Sequence, residues 1–108
     1  MRDPSPLFAH RVAELAGIDA AILRDGPGLS ALVVAAAGAV GIAAVSPPLV
    51  RQSPGGFAVG LICAEGHITL HTVPDHGICL VDILGRAPAT PERGVDVIAR
   101  KLAARSVA

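Results

Sequence analysis

The 108-residue sequence predicts an α+β fold: a single domain over residues 1–108, built as a two-layer sandwich with an antiparallel sheet and two helices on one face. Three observations predict it. Short runs rich in Val, Ile, Leu and Thr follow one another through residues 57–84, separated by turn residues. Segments before and after them carry apolar residues at helical spacing. No internal repeat or linker divides the chain, and its length suffices for one core without metal or disulfide staples.

Taken in order, residues 7–15 are ambiguous, because local propensity favours a helix while "HRVAEL" also reads as an edge strand. From Leu29 onward, Leu32, Val33, Ala36 and Val40 repeat at i, i+3, i+4 and i+7, with Pro27 and Gly28 at the helix start. Gly38 and Gly41 weaken that helix, so "VGIAAVS" at 40–46 is expected to be a strand ending at Pro47 and Pro48, followed by the turn "QSPGG". Phe57 to Ala64, Ile68 to Thr72 and Ile78 to Leu84 then form a meander, joined by "EG" and "VPDHG". Thr90, Pro91 and Glu92 supply an N-cap, an N1 proline and an acidic first turn for a closing helix whose core face is Val95, Ile98, Ala99 and Leu102.

In "FAVGLICA" and "ICLVDIL" apolar residues occupy both odd and even positions, so both sheet faces call for cover. Two helices cover one face. A second copy is expected on the other, making the protein a homodimer.

Composition excludes several function classes. Nine basic and nine acidic residues give no positive field for phosphates, and two aromatics without Trp or Tyr offer little base stacking, so nucleic acid is not an expected partner. Cys63 and Cys79 lack CxxC spacing and read as small buried hydrophobes. "MRDPSPLFAH" has no apolar signal core, which points to a cytoplasmic protein. Gly26 to Val50 runs 25 residues without a charge, but it is mostly Ala and Gly and contains two prolines. A buried helix leading into a buried strand explains it without a membrane.

Chemistry concentrates in "AEGHITLHTVPDHGICLVDILG", residues 64–85, which holds three of the four histidines. His67 and His71, with Asp75 or Cys79, suggest a zinc site. At i, i+4 on a strand, however, two imidazoles stand about 13 Å apart, too far for one ion, and no metal is expected.

The stretch "EGHITLHTVPDHGICLVDI" resembles the small prokaryotic S-adenosylmethionine decarboxylases of polyamine synthesis, in which Glu-Ser-His, Thr, a second His, Thr, an aromatic, Pro, an acidic residue, Gly and an Ile/Val-Asp pair follow at the same spacing. The resemblance extends over nearly the whole chain and is weaker before Val45. It implies an enzyme that cuts its own chain at the serine, whose hydroxyl attacks the preceding carbonyl and whose Cβ becomes the methyl of a pyruvoyl group. That group then serves as electron sink for decarboxylation.

Gly66 stands at the serine position, with neither Oγ nor Cβ, so no pyruvoyl cofactor is expected. The helper serine falls on Ala58 and the cysteine acid on Arg86, and neither replacement exchanges a proton near neutral pH. The adenine-stacking aromatic is missing; Gln52 lies nearest its place. Glu65, His71, Asp75 and Asp82 remain. The resemblance makes His71 the histidine of self-cleavage and gives Glu65 and Asp75 ligand-binding roles, Asp75 near the ribose. Asp75 is also an ordinary turn residue, and His71, on one strand face with His67 and Thr69, is also a plain structural histidine.

Three functional readings follow: an unprocessed, catalytically inactive homologue that binds an S-adenosylmethionine-like ligand or regulates a processing-competent paralogue; an active decarboxylase of polyamine metabolism using another electrophile; and a purely structural interaction domain.

Overall fold

The computed structural model describes residues 6–108. Six strands form one sheet in the order β2-β3-β4-β5-β1-β6, with every neighbouring pair antiparallel. They are β1 (Phe8–Ala16), β2 (Leu49–Ser53), β3 (Gly56–Cys63), β4 (Gly66–Val73), β5 (Ile78–Arg86) and β6 (Ser106–Val107). The short helix α1 (Ala20–Leu23) leads into α2 (Gly26–Val40), and α3 (Pro91–Lys101) follows β5. The expected α+β layering is what the chain adopts.

One side of the sheet meets the helices. Ala13 and Leu15 of β1, Val59, Leu61 and Cys63 of β3, Ile68 and Leu70 of β4, and Cys79, Val81 and Ile83 of β5 are buried there. Against them pack Leu29, Leu32, Val33, Ala36 and Val40 of α2, with Val95 and Ile98 of α3 and Leu102 just beyond it. The repeats at three and four residues place those side chains on one helix face, and burying them supplies the main stabilisation. Thr72 is the one buried polar side chain among the described residues; its Oγ1 accepts from the Phe57 amide at 3.0 Å and donates to the Leu23 carbonyl at 3.1 Å. That pair of bonds ties α1 to β3 and β4.

Four sequence expectations need correction. The ambiguous stretch 7–15 forms the strand β1, and an interior one instead of an edge, because Phe8 to Leu15 pair with Arg86 to Cys79 of β5 while β6 takes its other side. Residues 40–46 are not a strand: α2 runs to Val40, Gly41 caps it at φ 89°, and only Ala44 makes an isolated bridge, to Cys63. The edge strand lies further on, as β2, where the turn "QSPGG" was expected to begin. Thr90 occupies the N-cap of α3, but its side chain makes no capping bond.

The second sheet face carries no helix. Its residues follow from the strand alternation and register: Phe8, His10, Val12 and Glu14 on β1, Leu80, Asp82, Leu84 and Arg86 on β5, His67, Thr69, His71 and Val73 on β4, and Ala58, Gly60 and Ile62 on β3. Phe8, Val12, Ile62 and Leu80 are 46, 44, 58 and 40% exposed, so this face is as apolar as the sequence pattern indicates. No described helix is long and apolar enough to cross a membrane.

Candidate functional site

The hairpin between β3 and β4 turns on two residues, Ala64 and Glu65, with Cys63 facing Gly66 across it. Glu65 takes φ 55°, a left-handed conformation unusual for a residue with a side chain. Arg86, at the end of β5, secures it. The Arg86 amide donates to the Glu65 carbonyl at 3.1 Å, and Nη1 donates to Glu65 Oε1 at 2.9 Å.

Gly66 pairs with Gly85 across β4 and β5. A β-carbon on Gly66 would overlap the Leu84 carbonyl oxygen and stand 3.2 Å from Gly85 Cα. The neighbouring backbone therefore fills the space a side chain would need.

Ala58 and His71 face one another across β3 and β4, in a row that continues through Leu80 to Glu14. This row lies at the other end of the sheet from Gly66. His71 is five residues along β4 from Gly66, about 17 Å at ordinary strand rise, and on the opposite face by alternation. Asp75 is close to the His71 end, in the 3₁₀ turn Pro74–His76, where Arg24 Nη2 donates to its Oδ1 at 3.0 Å and its side chain is 82% exposed. The candidate residues thus form two groups: Glu65, Gly66 and Arg86 at one end, and Ala58, His71 and Asp75 at the other.

At the centre of the helix-free face lies a third group. His10 and His67 both donate through Nε2 to one oxygen of Asp82, at 2.7 and 3.3 Å. Burial pushes the Asp82 carboxyl up, but the hydrogen bonds and charge of the two histidines outweigh it and hold the carboxyl below its ordinary range. Asp82 and His67 were singled out in the sequence; His10 was not. Reading "HRVAEL" with period two would have put His10 on the face of Val12 and Glu14.

No group of three or more His, Cys, Asp and Glu among the described residues is arranged to hold a metal ion. Cys63 and Cys79 are buried free thiols, and burial pushes Cys79 up to about 12, which keeps it unreactive. Two concavities lie on the helix side of the sheet. One, of about 380 Å³, is bordered by Asp25, Leu29, Leu32 and Lys101; the other, of about 430 Å³, by Gly26, Val50, Gln52 and Phe57.

A family model described as S-adenosylmethionine decarboxylase matches residues 9–108. The chain belongs to the S-adenosylmethionine decarboxylase family. It is 35% identical over 100 residues to an S-adenosylmethionine decarboxylase proenzyme of Pyrobaculum neutrophilum, covering 91% of this chain and 81% of that one. Another proenzyme, from Caldanaerobacter subterraneus subsp. tengcongensis, is 32% identical over 102 residues, covering 94% and 82%. The crystal structure of the adenosylmethionine decarboxylase from Aquifex aeolicus superimposes with a TM-score of 0.84 at 25% identity, over 94% of this chain and 85% of that one.

Within that family the implied pyruvoyl group must arise from residue 66, and the residues present do not fit it. Gly66 has no Cβ to become the methyl, and the Leu84 carbonyl stands where that atom would go.

Proposed function

We propose that this chain is an unprocessed, catalytically silent member of the S-adenosylmethionine decarboxylase family that acts by binding. The observation that carries the reading is the contact of Gly66 with the Leu84 carbonyl. The position lacks the atoms of the cofactor, and the Leu84 carbonyl stands where the Cβ would go. Arg86, at the position of the family's acid, is spent on an ion pair with Glu65 and has a guanidinium that stays charged.

Self-association through the helix-free face belongs to the same reading. Exposed Phe8, Val12, Ile62 and Leu80 favour a cover there. Glu14 and Arg86 lie at opposite ends of that face, facing Leu80 and Phe8 across β1 and β5. A two-fold axis lying across the strands would turn each end of this face onto the opposite end of the second copy's face. The same axis lays the Gly66 end over the partner's Ala58 and His71 end, reuniting the two halves of the family site. A processing-competent paralogue in place of the second copy would gain the same contacts, which is how such a homologue could regulate one.

The test is a thermal shift with S-adenosylmethionine and with its decarboxylated product, alongside carbon dioxide release. Stabilisation without carbon dioxide supports the reading. Release of carbon dioxide overturns it in favour of an active decarboxylase, and no response to either compound favours a purely structural domain.

A further inference from the structure

We infer that the His10–Asp82–His67 cluster makes self-association depend on pH, with the tightest dimer when each cluster holds a single proton. The inference rests on the dimer proposed above and adds its regulation.

The geometry supplies the argument. Ile83 is midway between Leu80 and Arg86 on β5, and Asp82 is its neighbour. The cluster thus sits at the centre of the helix-free face, and a second copy turned end for end over that face brings its own cluster near this one. Both histidines bond the same carboxylate oxygen, so the three groups form one cluster whose charge is the sum of its members.

With no proton on the imidazoles each unit carries one negative charge. With one proton it is neutral, and with two it is positive. Association brings two like units together and removes them from water, so both charged forms oppose it, through repulsion and through desolvation. The neutral form opposes it least.

Among the described residues, the other charged or titratable groups on this face are Glu14 on β1, His71 on β4, Arg51 on β2, Arg86 on β5 and Glu65 in the β3–β4 turn. His71 is the one further imidazole among them, and it sits in the Ala58–Leu80 row, outside the cluster.

Sedimentation of the whole chain from about pH 5 to 9, the range that spans histidine titration, is expected to give a dissociation constant with a minimum, rising at least about tenfold toward each end. Asp82→Asn removes the negative charge of the unprotonated unit. That variant is expected to lose the alkaline rise and to weaken only as pH falls. Circular dichroism at each pH verifies that both proteins stay folded. A wild-type dimer with a flat profile, or an alkaline rise that persists in Asp82→Asn, overturns the inference while leaving the dimer standing. A monomer at every pH overturns both.

Discussion

Arg86 holds Glu65 by both backbone and side chain, its amide 3.1 Å from the Glu65 carbonyl oxygen and its Nη1 2.9 Å from Oε1. The residue so held is the one with the left-handed backbone, φ 55°. A residue with a Cβ in that region carries a strain of about 1–2 kcal/mol, while an exposed ion pair returns about 0–1 kcal/mol. The turn that carries the family's cleavage bond is thus mildly strained and pinned from β5.

Replacing Glu65 separates the two contributions. Glu65→Ala and Glu65→Gly both lose the ion pair, but only glycine relieves the backbone. Glu65→Gly is expected to be more stable than Glu65→Ala by about 1 kcal/mol, read from urea unfolding midpoints. Equal stabilities would mean that the turn is not strained.

The purified protein is expected to remain one chain with an ordinary N-terminus, at the 10.8 kDa of the full sequence. Intact mass spectrometry decides this. Two fragments meeting between Glu65 and Gly66 would refute the unprocessed reading.

Restoring a serine is expected to cost stability before it yields any chemistry. In Gly66→Ser the new Cβ meets the Leu84 carbonyl, and displacing packed backbone typically costs about 1–3 kcal/mol. The variant should melt at lower temperature and stay largely uncut over days on a denaturing gel. Adding Ala58→Ser places a hydroxyl opposite His71, at the far end of the sheet from Gly66, so it can serve the 65–66 bond only across the proposed dimer. That second change should speed cleavage by about 10² or more, the usual weight of a positioned proton-transfer group. Rapid, complete cleavage of the single variant would contradict this account of the site.

Leu61 and Ile83 face the helices and are fully buried, whereas Ile62 projects from the other face and is 58% exposed. Ile83→Ala is therefore expected to destabilise the fold by about 2–5 kcal/mol, with the association of the folded chain unchanged. Ile62→Lys should do the opposite, weakening association at little cost in melting temperature. Thermal melts and light scattering on the two variants distinguish the faces. The sequence, with apolar residues at both parities, did not reveal which residues belonged to which.

Asp82 gives the fold an acid sensitivity of known sign. Its carboxyl is held below the ordinary range in the folded chain. The stability it contributes is thus present above the carboxyl's unfolded value and is lost as pH falls through the lower folded value. In melts taken from neutral pH downward, the gap between wild type and Asp82→Asn should shrink once pH drops below about 4, the unperturbed aspartate region. A gap that stays constant would assign the cluster no net contribution.

The meander was legible because β3, β4 and β5 are bounded by turn residues, and α3 because Thr90, Pro91 and Glu92 mark its start. β1 was legible only as one of two alternatives, helix or edge strand. Its alternation in "HRVAEL" is helix-compatible, and only the long pairing with β5 decides it. β2 was hidden because Leu49 to Ser53 owes its conformation to β3 and not to its own residues. At the site, the match to the family's spacing singled out Gly66, Ala58 and Arg86 along the chain. Spacing alone, however, could not tell that Gly66 and His71 would lie on opposite faces at opposite ends of one strand. Nor could it foresee the Arg86–Glu65 contact, since 21 residues separate the partners and only the β5 register brings them together.

The closeness of Gly66 to Leu84 also bears on history. A one-codon return to serine at 66 would set its Cβ against the Leu84 carbonyl, so regaining self-processing calls for a compensating shift in β5 as well. Close relatives of this chain are then expected to keep glycine at 66 together with glycine at 85, as a pair inherited or lost as one.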